Sequence, residues 1–214
     1  MSSPLFIAFE GIDGSGTTTQ CSLLQQRIEQ QFRCPVVATR EPGGTPIAER
    51  IRRLVLDPRL VDVDPLAELL LYAAGRAQHV RERIEPALEA GTPVLCDRYT
   101  ASSVAYQGYG RGLGVELVEK VNAIAAGDCL PDLTIFLDLP VAQAQQRCSQ
   151  RAAKRDRLEM AGIDLQERVR AAYLEIAARN PTVSLVEDSR PPAAEVGAEI
   201  LRMLTCKWPQ FPFK

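Results

Sequence analysis

The sequence predicts an α/β chain with a five-stranded parallel sheet and helices on both of its faces. Three observations predict it. Short apolar runs alternate along the chain with helical patterns, the order that builds a wound sheet. The runs are continuously apolar, as expected of strands covered on both faces. The first run leads straight into Gly11-Ile12-Asp13-Gly14-Ser15-Gly16-Thr17-Thr18-Thr19, a glycine-rich turn of the kind that joins a strand to a phosphate-binding helix.

The strands are expected at Leu5–Phe9, Val36–Thr39, Val94–Cys96, Leu133–Leu139 and Val183–Val186. The first helix starts at the glycine-rich turn and runs to about Gln31. A long helix follows Asp64-Pro65, an N-cap with proline at the first helical position, and stops near Gly91. Further helices are expected at about 115–126, from Pro140 through Arg151, and at about 163–179 and 191–205. No linker, repeat or low-complexity segment interrupts this order, so residues 1–214 are expected to form one domain.

The 214 residues are 46% hydrophobic and 24% charged, which suits a sizeable core in a water-soluble chain. No apolar run approaches the ~20 residues a membrane span requires. The N-terminus enters a strand without a basic leader region, so the cytoplasm is the expected compartment. Cysteines 21, 34, 96, 129, 148 and 206 are scattered and are expected to be free thiols. A net charge of −2 argues against a protein that coats nucleic acid. No nucleic-acid or membrane partner is expected. Of the 25 cationic residues 21 are arginine, whose planar fork matches phosphate bidentately.

The glycine-rich turn matches the P-loop pattern G-x-x-x-x-G-K-[ST] at Gly11, Gly16 and Thr18. Its glycines let backbone N–H groups face a phosphate chain, and the Thr18 hydroxyl is positioned for Mg²⁺. Thr17 stands where a lysine would carry positive charge to the β- and γ-phosphates. The other strand ends are equally polar. The second runs into Thr39-Arg40-Glu41-Pro42-Gly43-Gly44-Thr45, the third into Asp97-Arg98-Tyr99. Ligands of such sheets lie at these carboxyl ends. Asp97 sits where a carboxylate would hold Mg²⁺ or its water shell, or would pair with Arg98. Asp13 is a second carboxylate near the phosphates, or a cap of the following turn.

With these motifs in place, the chain resembles the thymidylate kinase family over nearly its whole length. The resemblance rests on Phe9-Glu10-Gly11-Ile12-Asp13-Gly14-Ser15-Gly16, on Thr39-Arg40-Glu41-Pro42-Gly43-Gly44-Thr45-Pro46 and on Leu71-Tyr72-Ala73-Ala74-Gly75-Arg76-Ala77-Gln78-His79. It is strongest in Asp97-Arg98-Tyr99-Thr100-Ala101-Ser102-Ser103-Val104-Ala105-Tyr106-Gln107-Gly108. It implies a P-loop nucleoside-monophosphate-kinase fold, a homodimer, and transfer of the γ-phosphoryl group of ATP to dTMP with Mg²⁺, in dTTP biosynthesis.

The resemblance also implies roles. Gly11, Ile12, Asp13, Gly14, Ser15, Gly16, Thr17 and Thr18 would cradle ATP. Thr18 and Asp97 would serve the metal. Tyr72 would stack on thymine, and Arg76 would contact the base edge or the monophosphate. Arg98 would hold the acceptor phosphate and Asp13 would lie near the 3′-hydroxyl and the metal, both as catalytic residues. Ser103, Tyr106 and Gln107 would surround base and sugar, and Glu41-Pro42 would shape the phosphate pocket through a cis bond. By residue type alone, Tyr72 and His79 would be structural. The stretch at about 147–160 carries Arg147, Arg151, Lys154, Arg155 and Arg157 and resembles the family's lid. A lid excludes water and brings arginines to the transferring phosphoryl. Because the P-loop holds no arginine, Arg151 and Arg155 would be the catalytic donors. Arg147 would lie against adenine, and Arg157 would pair with Asp156 or Glu159.

Three residues depart from the family pattern: Thr17 for lysine, and Gly75 and Ala101 where many members have aspartate. Thr17 leaves room for a catalytically weak, regulatory nucleotide-binding protein. A kinase of another pyrimidine monophosphate, such as dUMP, is the third reading. The aromatic tail Lys207-Trp208-Pro209-Gln210-Phe211-Pro212-Phe213-Lys214 either docks or frays.

Overall fold

The computed structural model describes residues 3–60, 62–150, 157–158 and 162–213. Its strands are β1 (Phe6–Gly11), β2 (Val37–Arg40), β3 (Val94–Asp97), β4 (Leu133–Asp138) and β5 (Ser184–Asp188). They form one sheet in the order β2-β3-β1-β4-β5, parallel throughout. β1, at the centre, is buried along its whole length.

The helices are α1 (Thr17–Gln31), α2 (Pro46–Val55), α3 (Pro65–His79), α4 (Glu85–Glu89), α5 (Thr100–Ser103), α6 (Val115–Ala126), α7 (Val141–Ser149), α8 (Ile163–Arg179) and α9 (Ala193–Lys207). A π-helical turn, Val80–Ile84, joins α3 to α4, and a second, Val104–Gly110, extends α5. The expected long helix is therefore α3, the π turn and α4 in succession, started by Asp64, whose side chain accepts from Leu66 and Ala67 N–H. α2 was not expected from the sequence. Its signals are present: Thr45 caps it and Pro46 occupies its first turn.

Alternate residues of β1 serve opposite faces. Ile7 and Phe9 pack with Cys21, Leu24 and Ile28 of α1 and with Val196, Ile200 and Leu204 of α9. Phe6 and Ala8 face Val80, Ile84 and Tyr99. The aromatic tail docks. Phe211 is buried in the α1/α9 layer, edge-on to Phe32, and Pro212 carbonyl accepts from Leu5 N–H. The six cysteines are free. Among the described residues, no helix is long and apolar enough to cross a membrane.

Candidate active site

The carboxyl ends of β1, β2 and β3 open into a cavity of about 520 Å³. Strand register brings the three polar strand ends together: Phe9 and Arg40 both pair with Asp97. Gly14 and Gly16 have φ of 91° and 101°, values that L side chains rarely adopt. A Cβ on Gly14 would also lie 2.5 Å from the Ala144 carbonyl oxygen, so the loop fits closely over α7. α1 begins at Thr17. The Thr17 side chain is buried and borders the cavity, where it offers a hydroxyl and no charge.

Asp97 is buried at the end of β3. Its Oδ2 accepts from the Thr18 hydroxyl at 2.5 Å, while its buried Oδ1 has no protein partner. A buried carboxylate oxygen left without a donor is costly. It is the arrangement expected where a hydrated cation completes the site. The described residues contain no cluster of three or more acidic, His or Cys ligands. The residues therefore fit a metal shared with phosphate oxygens better than one held in an all-protein cage.

Asp13 and Arg98 form the next layer. Arg98 Nη2 donates to Asp13 Oδ1 at 2.9 Å, its Nη1 donates to the Tyr173 hydroxyl at 2.9 Å, and Asp13 Oδ2 accepts from the Tyr106 hydroxyl at 3.1 Å. Burial works against the Arg98 charge, but Tyr173, Tyr106, Asp13 and Asp97 outweigh it and hold the group well above the ordinary arginine range. Arg98 has a φ of +73°, uncommon for a residue with a Cβ and of the kind that collects at functional sites. Beneath them Glu10 is fully buried. Its Oε1 accepts from Tyr99 and Ser102 N–H, and its Oε2 from the Ser102 and Tyr173 hydroxyls. Burial raises the Glu10 carboxyl against the opposing pull of Arg98 and these donors.

Glu41, Pro42, Tyr72, Arg76, Ser103, Tyr106 and Gln107 all line the cavity. The Glu41-Pro42 bond is cis. Arg76 is more constrained than a ligand-binding role alone requires. Its Nε donates to Glu41, its Nη1 to Ser103 and Asn122, and its Nη2 to Tyr99 carbonyl and Ser103. These five bonds use all five guanidinium N–H groups. His79 is structural, as its residue type suggested: fully buried, it bridges Glu41 at 3.0 Å and Thr39 at 2.6 Å.

Arg147 lies apart from the cavity, where it donates to the carbonyls of Ser189 and Arg190 beyond β5. Arg151, Lys154, Arg155, Asp156 and Glu159 lie outside the described residues. Arg157 is described and buried, and among the described residues it donates to Glu68 and the Val55 carbonyl.

A family model for thymidylate kinase matches residues 9–200. The chain belongs to the thymidylate kinase family. It is 48% identical to the thymidylate kinase of Pelotomaculum thermopropionicum, over 92% of this chain and 91% of that one. It is also 48% identical to that of Deinococcus radiodurans, over 94% and 96%. The crystal structure of thymidylate kinase from Ehrlichia chaffeensis superposes with a TM-score of 0.77 at 33% identity, covering 95% of this chain and 99% of that one. Thymidylate kinase membership accounts for the P-loop and the strand-end motifs as one unit. No local motif gives Glu68, Asn122 or Tyr173 a role, and Glu10 stands in the first motif without one of its own. A charged residue inside a wholly buried strand, as Glu10 is, was the one signal available.

Proposed function

We propose that the chain transfers the γ-phosphoryl group of ATP to dTMP, giving dTDP and ADP. The observation that carries this reading is a single cavity lined both by the P-loop and Asp97 and by Tyr72, Ser103, Tyr106 and Gln107. The first group suits a phosphate chain and the second a flat base bearing polar edges. In the reaction an acceptor phosphate oxygen bonds to the γ-phosphorus as the bond to the β,γ-bridging oxygen breaks, without a covalent enzyme intermediate. P-loop N–H groups and Thr17 would hold the donor phosphates. Arg98, steadied by Asp13 and Tyr173, would hold the acceptor phosphate. Thr18 and Asp97 would hold Mg²⁺, which when bound neutralises charge on the transferring group.

In this reading the chain acts as one kinase domain, with a lid at about 147–160 that supplies Arg151 and Arg155. Arg147 would border adenine, beside the Ser189 and Arg190 carbonyls it already holds. Exposed Leu66 and Leu70 on α3, with Ile47 and Leu54 on α2, suit a homodimer interface. The enzyme would work in the cytoplasm.

The test is turnover of Mg-ATP and dTMP by pure protein, with dTDP and ADP separated by chromatography. Thr17 favours a second reading, a weak nucleotide-binding regulator: dTMP bound without turnover would establish it and sink the kinase. The same assay with dUMP tests the acceptor. A pocket fitted to thymine gains one methyl, about 1–3 kcal/mol in kcat/KM.

A further inference from the structure

We propose that Glu68 is a positioning residue that fixes which end of the Gln107 side-chain amide faces the acceptor cavity. The inference rests on dTMP being the acceptor. Glu68 lies in the first turn of α3 and is fully buried. Its Oε1 accepts from Gln107 Nε2 at 2.8 Å and, more distantly, from Arg111 Nε at 3.4 Å. Its Oε2 accepts from Arg157 and, at 3.2 Å, from Arg111. Burial alone would raise this carboxyl, but Gln107, Arg111 and Arg157 outweigh it and hold it below the usual range. It is therefore an acceptor only. Gln107 must turn its NH₂ toward Glu68, and its carbonyl oxygen is the end left for the cavity that it lines.

The base of dTMP is joined to its sugar through N1, so its ring carries one N–H, at N3. An amide oxygen in the pocket accepts from that N–H. It repels the ring nitrogen of cytosine, which offers a lone pair at the same place. The choice of base is thus set one residue away from the ligand, by a carboxylate that does not border the cavity.

Glu68→Gln tests this with little change of shape. Arg157 and Arg111 demand an acceptor, so the new amide directs its oxygen to them and its NH₂ to Gln107. Gln107 then reverses and presents NH₂ to the ligand. The measurement is the Kd of dTMP and of dCMP, by calorimetry, for the wild type, E68Q and E68D. The dTMP preference, Kd(dCMP)/Kd(dTMP), is expected to fall about tenfold or more in E68Q. It is expected to stay within about twofold in E68D, which remains an acceptor only. A merely structural Glu68 would weaken both nucleotides alike, so an unchanged ratio in folded E68Q overturns the inference. If E68Q does not fold or binds neither nucleotide, a crystal structure of the wild type with dTMP decides: a Gln107 amide bonded both to Glu68 and to thymine N3 supports the inference, and loss of either contact overturns it. A wild type that does not bind dTMP sinks the acceptor assignment and the inference with it. A wild type that prefers dTMP, with E68Q unchanged, sinks the inference alone.

Discussion

The Thr18 hydroxyl donates to Asp97 Oδ2 at 2.5 Å, and the other oxygen of that buried carboxylate has no protein partner. Residues 79 positions apart thus meet at the mouth of the P-loop. Asp97→Asn keeps the shape and places an NH₂ group where an acceptor is needed. Activity is expected to fall by about 10–100-fold, the usual cost of disturbing groups that order a metal site. The Mg²⁺ concentration for half-maximal rate should rise. Titration of Mg²⁺ at saturating ATP and dTMP checks this, and an unchanged midpoint would place the metal elsewhere.

Thr17 separates two accounts of the missing charge. If arginines elsewhere supply the positive field, Thr17→Lys changes kcat by less than about tenfold. Arg151→Ala or Arg155→Ala then lowers kcat by about 10²–10³ with dTMP binding little affected. Steady-state kinetics beside dTMP calorimetry reads both effects. A rise of about 10² in kcat for T17K, with both alanine variants inert, would show that the lysine was lost without replacement.

Glu10 gives stability a pH dependence with a definite sign. Its folded-state carboxyl lies above its ordinary value of 4.5, chiefly because it is buried. The stability it contributes is full below pH 4.5 and is lost as pH rises through the folded value. Glu10→Gln keeps an acceptor for Tyr99 and Ser102 N–H and does not titrate. The stability of wild type minus that of E10Q should therefore decline above pH 4.5, by at most about 1.4 kcal/mol per pH unit. Urea unfolding of both proteins at several pH values measures the difference. A gap that widens with pH would contradict the burial argument.

The docked tail should be energetically real. Phe211 is 5% exposed and packs edge-on against Phe32 at 5.4 Å. Phe211→Ala leaves a cavity between the tail and α1 and should cost about 3 kcal/mol. The midpoint of urea unfolding reports it. A cost under about 0.5 kcal/mol would mean the tail contributes little.

The sheet and the phosphate end of the site were legible because local signals carry them. Apolar runs marked the strands, glycines marked the P-loop, and Asp64-Pro65 marked the start of α3. Boundaries shifted where pairing, rather than hydrophobicity, ends a strand. β5 continues to Asp188 because its partner β4 continues to Asp138. α2 was less legible because it is only ten residues long and its start signal, Thr45-Pro46, lies inside the strand-end motif.

By itself the sequence determined the α/β class, the loop that turns toward phosphate and the kinase resemblance, since each is written in neighbouring residues. Only the tertiary structure decided how the charges are used. It gave all five Arg76 N–H groups to protein acceptors, joined Arg157 to Glu68 and set Glu10 under Tyr99, Ser102 and Tyr173. The physical reason is that a buried charge must find its partners wherever packing brings them, and those partners lie from 23 to 163 residues away along the chain.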